Sequence, residues 1–395
     1  MKQLAILGST GSIGRQCLSV VEALPERFGV AALAAGANLD ELVGQIERHK
    51  PEVVSVGDAK KADELATLLR EKGIALPAIH HGREGMLAVG THLAAEMVIS
   101  AAVGVVGLEA TYEAVKLGRT IALSNKEVLV AAGELVMAAA LKSGKELLPV
   151  DSEHNAVHQC LRAGQHKEVT RLVLTASGGP FRKTPLNQLQ NVTVEQALAH
   201  PNWKMGNRIT IDSATMMNKG FEIIEARWLF AMRPDQIDVV IHPQSTIHSM
   251  VEYLDGSILA QLGPTDMRMP IQYALTYPER VASNQVALDW SKLKRLDFEK
   301  ASTRRYPCLK LAREAMKKGG ALPCALNAAD EVAVAAFLER KLPYLGIPEV
   351  VEKVLGRIPR LKLQKMEDVL SADAEARRMA QEEVASLAGR AKAAS

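Results

Sequence analysis

The 395-residue sequence has few aromatic residues, little net charge and no long apolar run. Phe, Trp and Tyr make up 4% of a chain that is 48% hydrophobic, so we expect an aliphatic, alanine-rich core. The net charge is +3 and acids and bases are interspersed, which gives no indication of a nucleic-acid or membrane partner. A small positive net charge does suit an anionic small-molecule substrate.

Paired cysteines are also missing, since the four cysteines lie far apart and form no CxxC motif: Cys17, Cys160, Cys308 and Cys324. This argues against a disulfide framework and a structural zinc site, and it favours a reducing, cytoplasmic location. No apolar run reaches the length of about 18 residues that a membrane span needs. The first predicted strand begins near Gln3, which leaves no room for a signal peptide.

The first part of the chain alternates apolar runs with amphipathic helical stretches. The predicted strands are 4–8, 30–35, 53–56, 97–100, 120–123 and 147–150. Such alternation is typical of βαβ units with a parallel sheet. We therefore predict an α/β protein in which residues 1–150 form a Rossmann-like dinucleotide-binding domain.

The pattern changes after residue 150. Strands are predicted at 171–176, 239–242, 248–254 and 257–262, and helices at about 193–199 and 222–231. The sequence DGS at 255–257 indicates a hairpin turn. This favours an α+β catalytic domain over 151–285, a basic irregular linker over 286–311 and a C-terminal helical bundle over 312–395.

The segment LGSTGSIGRQ (7–16) follows the first strand and opens the first helix. Gly8, Gly11 and Gly14 would let the backbone approach a pyrophosphate, and the helix N-terminus would favour its charge. A plain glycine-rich turn is the alternative, but this position in a βαβ series favours a dinucleotide site. The second strand ends without an acid before Asp40, which favours NADPH over NADH.

The segment LSNKEVL (123–129) follows the fifth strand, where strand ends face a cofactor crevice. Asn125, Lys126 and Glu127 are therefore candidates for the site. A helix N-terminus capped by Asn125 explains this segment equally well.

The segment PVDSEHNAVHQ (149–159) gathers acids where a strand ends. If strand geometry continues, Asp151 and Glu153 point to one face and Ser152 to the other. Two carboxylates on one face suit a hard ion such as Mg²⁺ or Mn²⁺. Glu222 or Glu225, in the helix of DSATMMNKGFEIIEARW (212–228), could supply a third ligand.

The same helix start carries Ser213, Asn218 and Lys219, which are suited to a phosphate monoester. Ser177 in TASGGPF (175–181) is a second phosphate candidate. Ordinary capping and turn chemistry is the alternative for each.

The segment AHPNWKMGNR (199–208) has the composition of a loop. Trp203 there predicts a lid, with His200 contacting the substrate. The alternative is that Trp203 folds onto its own domain. As strand histidines, His242 and His248 are expected to be structural or to support site residues, and not to be ligands.

Together these segments resemble the 1-deoxy-D-xylulose-5-phosphate reductoisomerase family. The resemblance spans essentially the whole chain through ordered motifs: GSTGSIG, SNKE, PVDSEHNA, SGGPF, HPNWKMG, DSATMMNKG and IHPQS. It implies NADPH-dependent and Mg²⁺- or Mn²⁺-dependent conversion of 1-deoxy-D-xylulose 5-phosphate to 2-C-methyl-D-erythritol 4-phosphate, usually by a homodimer. It also implies retro-aldol cleavage, re-aldolisation and then hydride transfer.

The resemblance implies a role for each matched position. The implied metal ligands are Asp151, Glu153 and Glu222. The implied substrate contacts are Lys126, Ser152, Glu153, Ser177, His200, Ser213, Asn218, Lys219 and Glu222. The implied cofactor contacts are Thr10, Gly11, Ser12, Ile13, Gly36, Ala37, Asn38, Asn125, Glu127 and Gly206. The candidate catalytic groups are Lys126, Glu153 and His200, and Trp203 and Met205 would lie in a mobile flap.

Ala37 departs from the family pattern, which often has a basic residue there. Either NADPH selectivity is weaker in this chain, or it rests on Ser12 and backbone groups. Two rival functions are another NADP-linked oxidoreductase and a non-catalytic NADPH sensor. A semialdehyde dehydrogenase would need an activated cysteine, and nothing in the sequence around Cys160 indicates one. A sensor has no need for the acid pair and the phosphate motifs together.

Overall fold

The computed structural model describes residues 1–203, 205–282 and 287–394, with side chains up to residue 389. The chain forms two compact units. The first unit comprises the described residues of Met1–Val128, Val136–Asn155 and Asp266–Val286. The second unit comprises the remaining described residues. Within the described ranges, every helix is too short or too polar to cross a membrane.

The first unit is built on a parallel seven-stranded sheet, counted over the described residues. Its strands are β1 (Lys2–Leu7), β2 (Phe28–Ala34), β3 (Val53–Val56), β4 (Ala78–His81), β5 (Met97–Ser100), β6 (Thr120–Leu123) and β7 (Leu147–Pro149). The helices between them are α1 (Ser12–Ala23), α2 (Leu39–His49), α3 (Ala59–Glu71), α4 (Gly82–Gly90), α5 (Leu108–Lys116) and α6 (Glu127–Ser143). Helix α6 and the next helix, α7 (Ser152–Leu161), each have part of their length in the second unit, and α11 (Arg268–Thr276) follows much later in the chain.

The strand order is β4-β3-β2-β1-β5-β6-β7, so the direction of winding reverses between β1 and β5. In open α/β sheets, ligands bind at such a switch point, beyond the carboxyl ends of the strands. Leu4 to Leu7 are fully buried, as expected for a central parallel strand covered on both faces. Helix α11 completes this core with Ile271, Ala274 and Leu275.

The second unit contains a mixed sheet whose strand order is β11-β10-β8-β9-β12. Its strands are β8 (Val169–Ala176), β9 (Ile237–Ile241), β10 (Ile247–Tyr253), β11 (Ile258–Leu262) and β12 (Glu299–Lys300). Its helices are α8 (Val194–Leu198), α9 (Asn207–Thr215), α10 (Met217–Leu229), α12 (Pro307–Lys318), α13 (Leu322–Leu338), α14 (Gly346–Arg357) and α15 (Met366–Ala394). A single aliphatic core joins the sheet to α9, α10 and the C-terminal helices.

The α/β architecture is confirmed, and the predicted strands lie within two residues of the observed ends. Strand β4 was missed because its sequence, AIHH, is polar and mostly exposed. The expected hairpin at DGS joins β10 to β11, with Gly256 at φ +86°.

The continuation of strand geometry through Glu153 is wrong, because β7 ends at Pro149 and α7 begins at Ser152. The segment expected to be an irregular linker contains β12 and the start of α12. The domain boundaries at 150, 285 and 311 stay predictions, and positions 283–286 lie outside the described residues.

Candidate active site

The turn after β1 requires glycine at two positions. Gly8 has φ +89°, and a Cβ there would lie 2.6 Å from the carbonyl oxygen of Ala101, which follows β5. A Cβ at Gly14 would lie 2.3 Å from the oxygen of Gly8. The turn therefore brings backbone close to the switch point. Gly11 is the N-cap of α1, and its lack of a side chain leaves the helix N-terminus open.

The candidates at the end of β2 lie next to this turn. The amides of Gly8 and Ser9 donate to the oxygen of Ala34 at 2.9 and 2.8 Å. Gly36, Ala37 and Asn38 follow and are exposed. The side chain of Asn38 caps α2 by accepting from the amide of Glu41 at 3.2 Å, so its carboxamide oxygen is already engaged.

Asn125 lies at the end of β6 and anchors the loop that follows β5. Its Nδ2 donates to the oxygens of Ala102 and Gly104, the latter at 2.7 Å. These bonds favour the strand-end role over helix capping, although α6 does begin at Glu127. Asn125 therefore holds the loop against which the glycine turn packs at Gly8.

Lys126 and Asp151 come together from the ends of the neighbouring strands β6 and β7 and form a buried ion pair. Burial alone would raise the pKa of Asp151, but the nearby charges of Lys126 and His154 outweigh it and hold that pKa well below its usual range. Ser152 donates to Glu153 Oε2 at 2.7 Å. This end of the sheet thus presents two carboxylates on one short segment.

In the second unit, His200 is bonded to Ser177, at 2.9 Å between Nε2 and Oγ. His200 Nδ1 accepts the amides of Asn202 and Trp203 at 3.2 and 3.0 Å. The Nε2 atom must therefore carry the ring proton and donate it to Ser177. Burial lowers the pKa of His200, so the neutral ring is favoured.

The SGGP turn packs against the end of α9. Gly179 has φ +67°, and a Cβ there would lie 2.8 Å from the oxygen of Ser213. The Ser213 hydroxyl donates to the oxygen of Ile209 at 2.8 Å. The turn that carries Ser177 and the helix that carries Ser213 are therefore in direct contact.

Asn218, Lys219 and Glu222 form a cluster on the first turns of α10. Asn218 Nδ2 donates to Glu222 Oε1 at 2.7 Å, and the Lys219 ammonium pairs with Glu222 Oε2. Lys219 and Glu222 are 3% and 0% exposed, so this charge pair is kept from water. Glu225, the other candidate ligand, is also fully buried on this helix.

Gly206 is the N-cap of α9, and its oxygen accepts from Thr210 Oγ1 at 2.8 Å. The ring centroids of Trp203 and His248 are 6.3 Å apart, in agreement with the alternative that Trp203 packs on its own domain. Met205 is partly buried, and position 204 of this motif lies outside the described residues. His248 Nε2 bonds to the oxygen of Pro264 at 3.2 Å, a structural contact.

Three supporting residues were missed by the sequence analysis. Tyr306 donates to the oxygen of Gly178 at 2.9 Å, and Tyr344 donates to that of Ala214 at 2.7 Å. Arg208 bridges to α13. All three link the phosphate candidates to distant C-terminal segments, so no local pattern reveals them. The one available signal is the scarcity of aromatic residues, which makes each buried tyrosine notable.

Three family models match successive parts of the chain. They describe 1-deoxy-D-xylulose 5-phosphate reductoisomerase (residues 4–133), the C-terminal domain of that enzyme (residues 147–230) and the DXP reductoisomerase C-terminal domain (residues 262–379). The curated 1-deoxy-D-xylulose 5-phosphate reductoisomerase of Solibacter usitatus is 51% identical over 385 residues, 97% of either chain. That of Pelodictyon phaeoclathratiforme is 51% identical over 98% of this chain and 100% of its own.

Solved structures give the same result. A DOX-P reductoisomerase crystal structure in complex with NADPH, fosmidomycin and magnesium is 39% identical, with a TM-score of 0.91 over 97% of this chain and 98% of its own. The Zymomonas mobilis 1-deoxy-D-xylulose 5-phosphate reductoisomerase in complex with NADPH is 42% identical, with a TM-score of 0.90 over 97% of this chain and 99% of its own.

Proposed function

Because this chain belongs to the 1-deoxy-D-xylulose 5-phosphate reductoisomerase family, we propose that it converts 1-deoxy-D-xylulose 5-phosphate to 2-C-methyl-D-erythritol 4-phosphate with NADPH and a divalent ion. The observation that carries this proposal is the combination of two arrangements within one chain. The first unit has a glycine cradle and an acidic strand end, and the second unit has two phosphate-type turns in contact.

NADPH fits the turn after β1. A Cβ at Gly8 or Gly14 would collide with backbone, so this tight turn can form only with glycine, and a turn of this kind lets the backbone approach a pyrophosphate. Thr10, Gly11, Ser12 and Ile13 would surround the phosphates. The contacts proposed for Gly36, Ala37, Asn38, Asn125, Glu127 and Gly206 follow the family pattern. When bound, NADPH supplies the hydride.

A divalent ion fits the proposed donor set of Asp151, Glu153 and Glu222, because every donor is a carboxylate oxygen. Asp151 remains ionised beside Lys126, as a metal ligand must. Such an ion would polarise neighbouring substrate oxygens and stabilise developing negative charge. Mg²⁺ is the first choice, and Mn²⁺ shares its preference for oxygen ligands.

The proposed substrate contacts divide by role. Ser177, Ser213, Asn218 and Lys219 would hold the phosphate, and this remote grip would orient the reacting carbons. Lys126, fixed by Asp151, would lie beside the reacting oxygens with Ser152 and Glu153. His200 would act as a neutral donor, since its Nε2 carries the proton. Glu153 and His200 remain the two candidates for proton transfer.

The rival functions gain no support. A cysteine-dependent reductase needs a thiolate, but burial raises the pKa of Cys160 to about 11. A sensor would not need a buried charge pair at a phosphate-type helix start. All four cysteines are free and buried, which supports the proposal of a reducing, cytoplasmic location.

We further propose a homodimer formed through the second unit. Strand β11 is the edge of its sheet, and the apolar side chains at or beside it are exposed: Leu254, Ile258 and Leu259. An apolar edge strand is a template for pairing with a second strand. Two antiparallel copies of β11 would bury this edge.

The test is NADPH oxidation with 1-deoxy-D-xylulose 5-phosphate, followed by absorbance, with and without Mg²⁺ or Mn²⁺ and then with NADH. Oxidation that requires both metal and substrate supports the proposal. The ratio of the oxidation rates with NADH and with NADPH measures how selective the enzyme is for NADPH when Ala37 replaces a basic residue. A folded, NADPH-binding protein that oxidises nothing would refute the assignment of this reaction.

A further inference from the structure

Helix α9 is held at both ends by the C-terminal helical region of the second unit. Near its start, Arg208 donates to Glu331 Oε1 of α13 at 2.9 Å. Near its end, the Tyr344 hydroxyl donates to the oxygen of Ala214 at 2.7 Å. The same helix carries Ser213, a proposed phosphate contact. The position of Ser213 therefore depends on contacts made far from the phosphate.

We call the region where α9 meets the C-terminal helices the α9 junction. A second acid of α13, Asp330, lies in this junction and is fully buried. Arg208 is 3.8 Å from Asp330 and 3.5 Å from Asp212 of α9, measured between nitrogen and carboxylate oxygen. Within the described parts of the chain, neither carboxyl oxygen of Asp330 has a hydrogen-bond partner, although the buried carboxyl of Asp212 lies against the same guanidinium. Two buried carboxyl groups that share one arginine repel each other as anions, and a proton on one of them would allow it to donate a hydrogen bond to the other.

The surroundings indicate which group holds that proton. The charged or titratable groups of the junction are Arg208 and Asp212 on α9, Cys308 on α12, Glu331 on α13, and Asp373 and Arg377 on α15. Burial and then the charge of Asp212 raise the pKa of Asp330 well above its usual value, and Arg208 opposes them only in part. Glu331 and Asp373 are instead paired with Arg377, at 2.7 and 2.6 Å.

We propose that Asp330 is a positioning residue that carries a proton, bonds to Asp212 and, with Arg208, fixes α9 so that Ser213 faces the substrate phosphate. This inference rests on the function proposed above. Loss of the proton would place two anionic carboxylates side by side in a buried junction and loosen α9. The affinity for the phosphate substrate should then fall at alkaline pH, with a smaller effect on kcat because Ser213 is remote from the reacting carbons.

The protonation state can be tested without activity, by measuring the thermal midpoint of the wild type and of Asp330→Asn from pH 5 to 9. Wild-type Asp330 keeps its proton when folded but loses it above about pH 4 when unfolded, so rising pH destabilises the fold. Asn cannot ionise, so the thermal midpoint of Asp330→Asn should rise relative to that of the wild type by roughly 2 °C per pH unit. A gap that stays constant with pH would show that Asp330 is ionised and would overturn the proposal.

The positioning role needs a variant that removes the proposed bond, Asp330→Leu, and a matched variant of an acid that pairs within its own helix, Asp373→Asn. Asp330→Leu should raise KM for the sugar phosphate roughly tenfold, with kcat changed less and NADPH affinity unchanged. Asp330→Asn, whose amide can donate to Asp212, should restore KM. Equal KM values for Asp330→Leu and Asp373→Asn would refute the positioning role.

Hydrogen exchange of the amides of 207–215 keeps this test separate from the proposed reaction. Asp330→Leu should exchange faster there than wild type, and Asp330→Asn should not. If the wild type turned over no substrate, the proposed function would fail, while exchange and the pH-dependent midpoint would still decide the state of Asp330. Unchanged exchange in Asp330→Leu would refute the inference on its own.

Discussion

At the scale of single residues, two of the proposed metal ligands are acids that each pair with a neighbouring lysine. Asp151 is paired with Lys126 in the first unit, and Glu222 with Lys219 in the second. An unpaired buried carboxylate would take up a proton and lose its value as a ligand. The lysine partners therefore favour the anionic form that the proposed ligand role requires.

We expect Glu222→Gln to abolish metal-dependent turnover while NADPH binding stays nearly unchanged. The amide can still accept from Asn218 but is a poor ligand for a divalent ion, so the loss should be roughly a hundredfold or more. Turnover is measured against metal concentration, and NADPH affinity by calorimetry. Normal metal-dependent turnover would rule out Glu222 as a ligand.

We expect His200 to titrate below its ordinary pKa of 6.5 because the folded protein buries the ring and uses Nδ1 as an acceptor. The stability it contributes is complete above pH 6.5 and is lost as the pH falls through the lowered value. An NMR titration of the ring should show this, with Ser177→Ala as the variant that removes its hydroxyl partner. A pKa above 6.5 would contradict the neutral, buried state assigned to the ring.

At the scale of elements, the glycine turn could be predicted because it depends on neighbours in sequence. A strand, three glycines and a helix start within 16 residues determine it. The start of α7 at Ser152 could not be read in the same way. The segment carries polar residues that suit a turn, a helix cap or a strand end. The structure shows which applies, because β7 ends at Pro149 and a helix starts three residues later.

The same limit applies to the phosphate turns. The motifs around Ser177 and Ser213 were recognisable, yet their contact depends on Gly179 packing against α9. The tyrosines that hold them come from positions more than a hundred residues later. Periodicity and capping rules act over a few residues and cannot supply such pairings.

We expect Gly14→Ala to weaken NADPH binding and to lower the free energy of unfolding by about 1–3 kcal/mol, because its Cβ would meet the backbone of Gly8 and Ser9. Gly44→Ala is the matched control. Gly44 lies within α2, and the nearest atom to its added Cβ is the end of Arg48, so this change should be neutral or stabilising by up to about 1 kcal/mol. Denaturant titration gives the free energy of unfolding of each variant, and a binding titration gives its NADPH affinity. Equal changes in Gly14→Ala and Gly44→Ala would argue against a special role for the glycine turn.

At the scale of the whole molecule, the proposed homodimer makes a separate prediction. Ile258→Lys places a charge on the exposed edge of β11 and should shift the protein toward monomer in sedimentation equilibrium. Leu93→Lys is the control, since Leu93 is 87% exposed and lies in the first unit. A dimer that survives Ile258→Lys would mean that another surface joins the copies.

The return of the chain to the first unit at α11 has a consequence for synthesis on the ribosome. Ile271, Ala274 and Leu275 cover apolar side chains of a sheet whose last strand is complete by Pro149. The nascent N-terminal segment therefore keeps part of its core uncovered while more than a hundred further residues are translated. A fragment that stops at residue 150 lacks this cover, so the proposed nucleotide-binding domain should be expressed as part of the full chain.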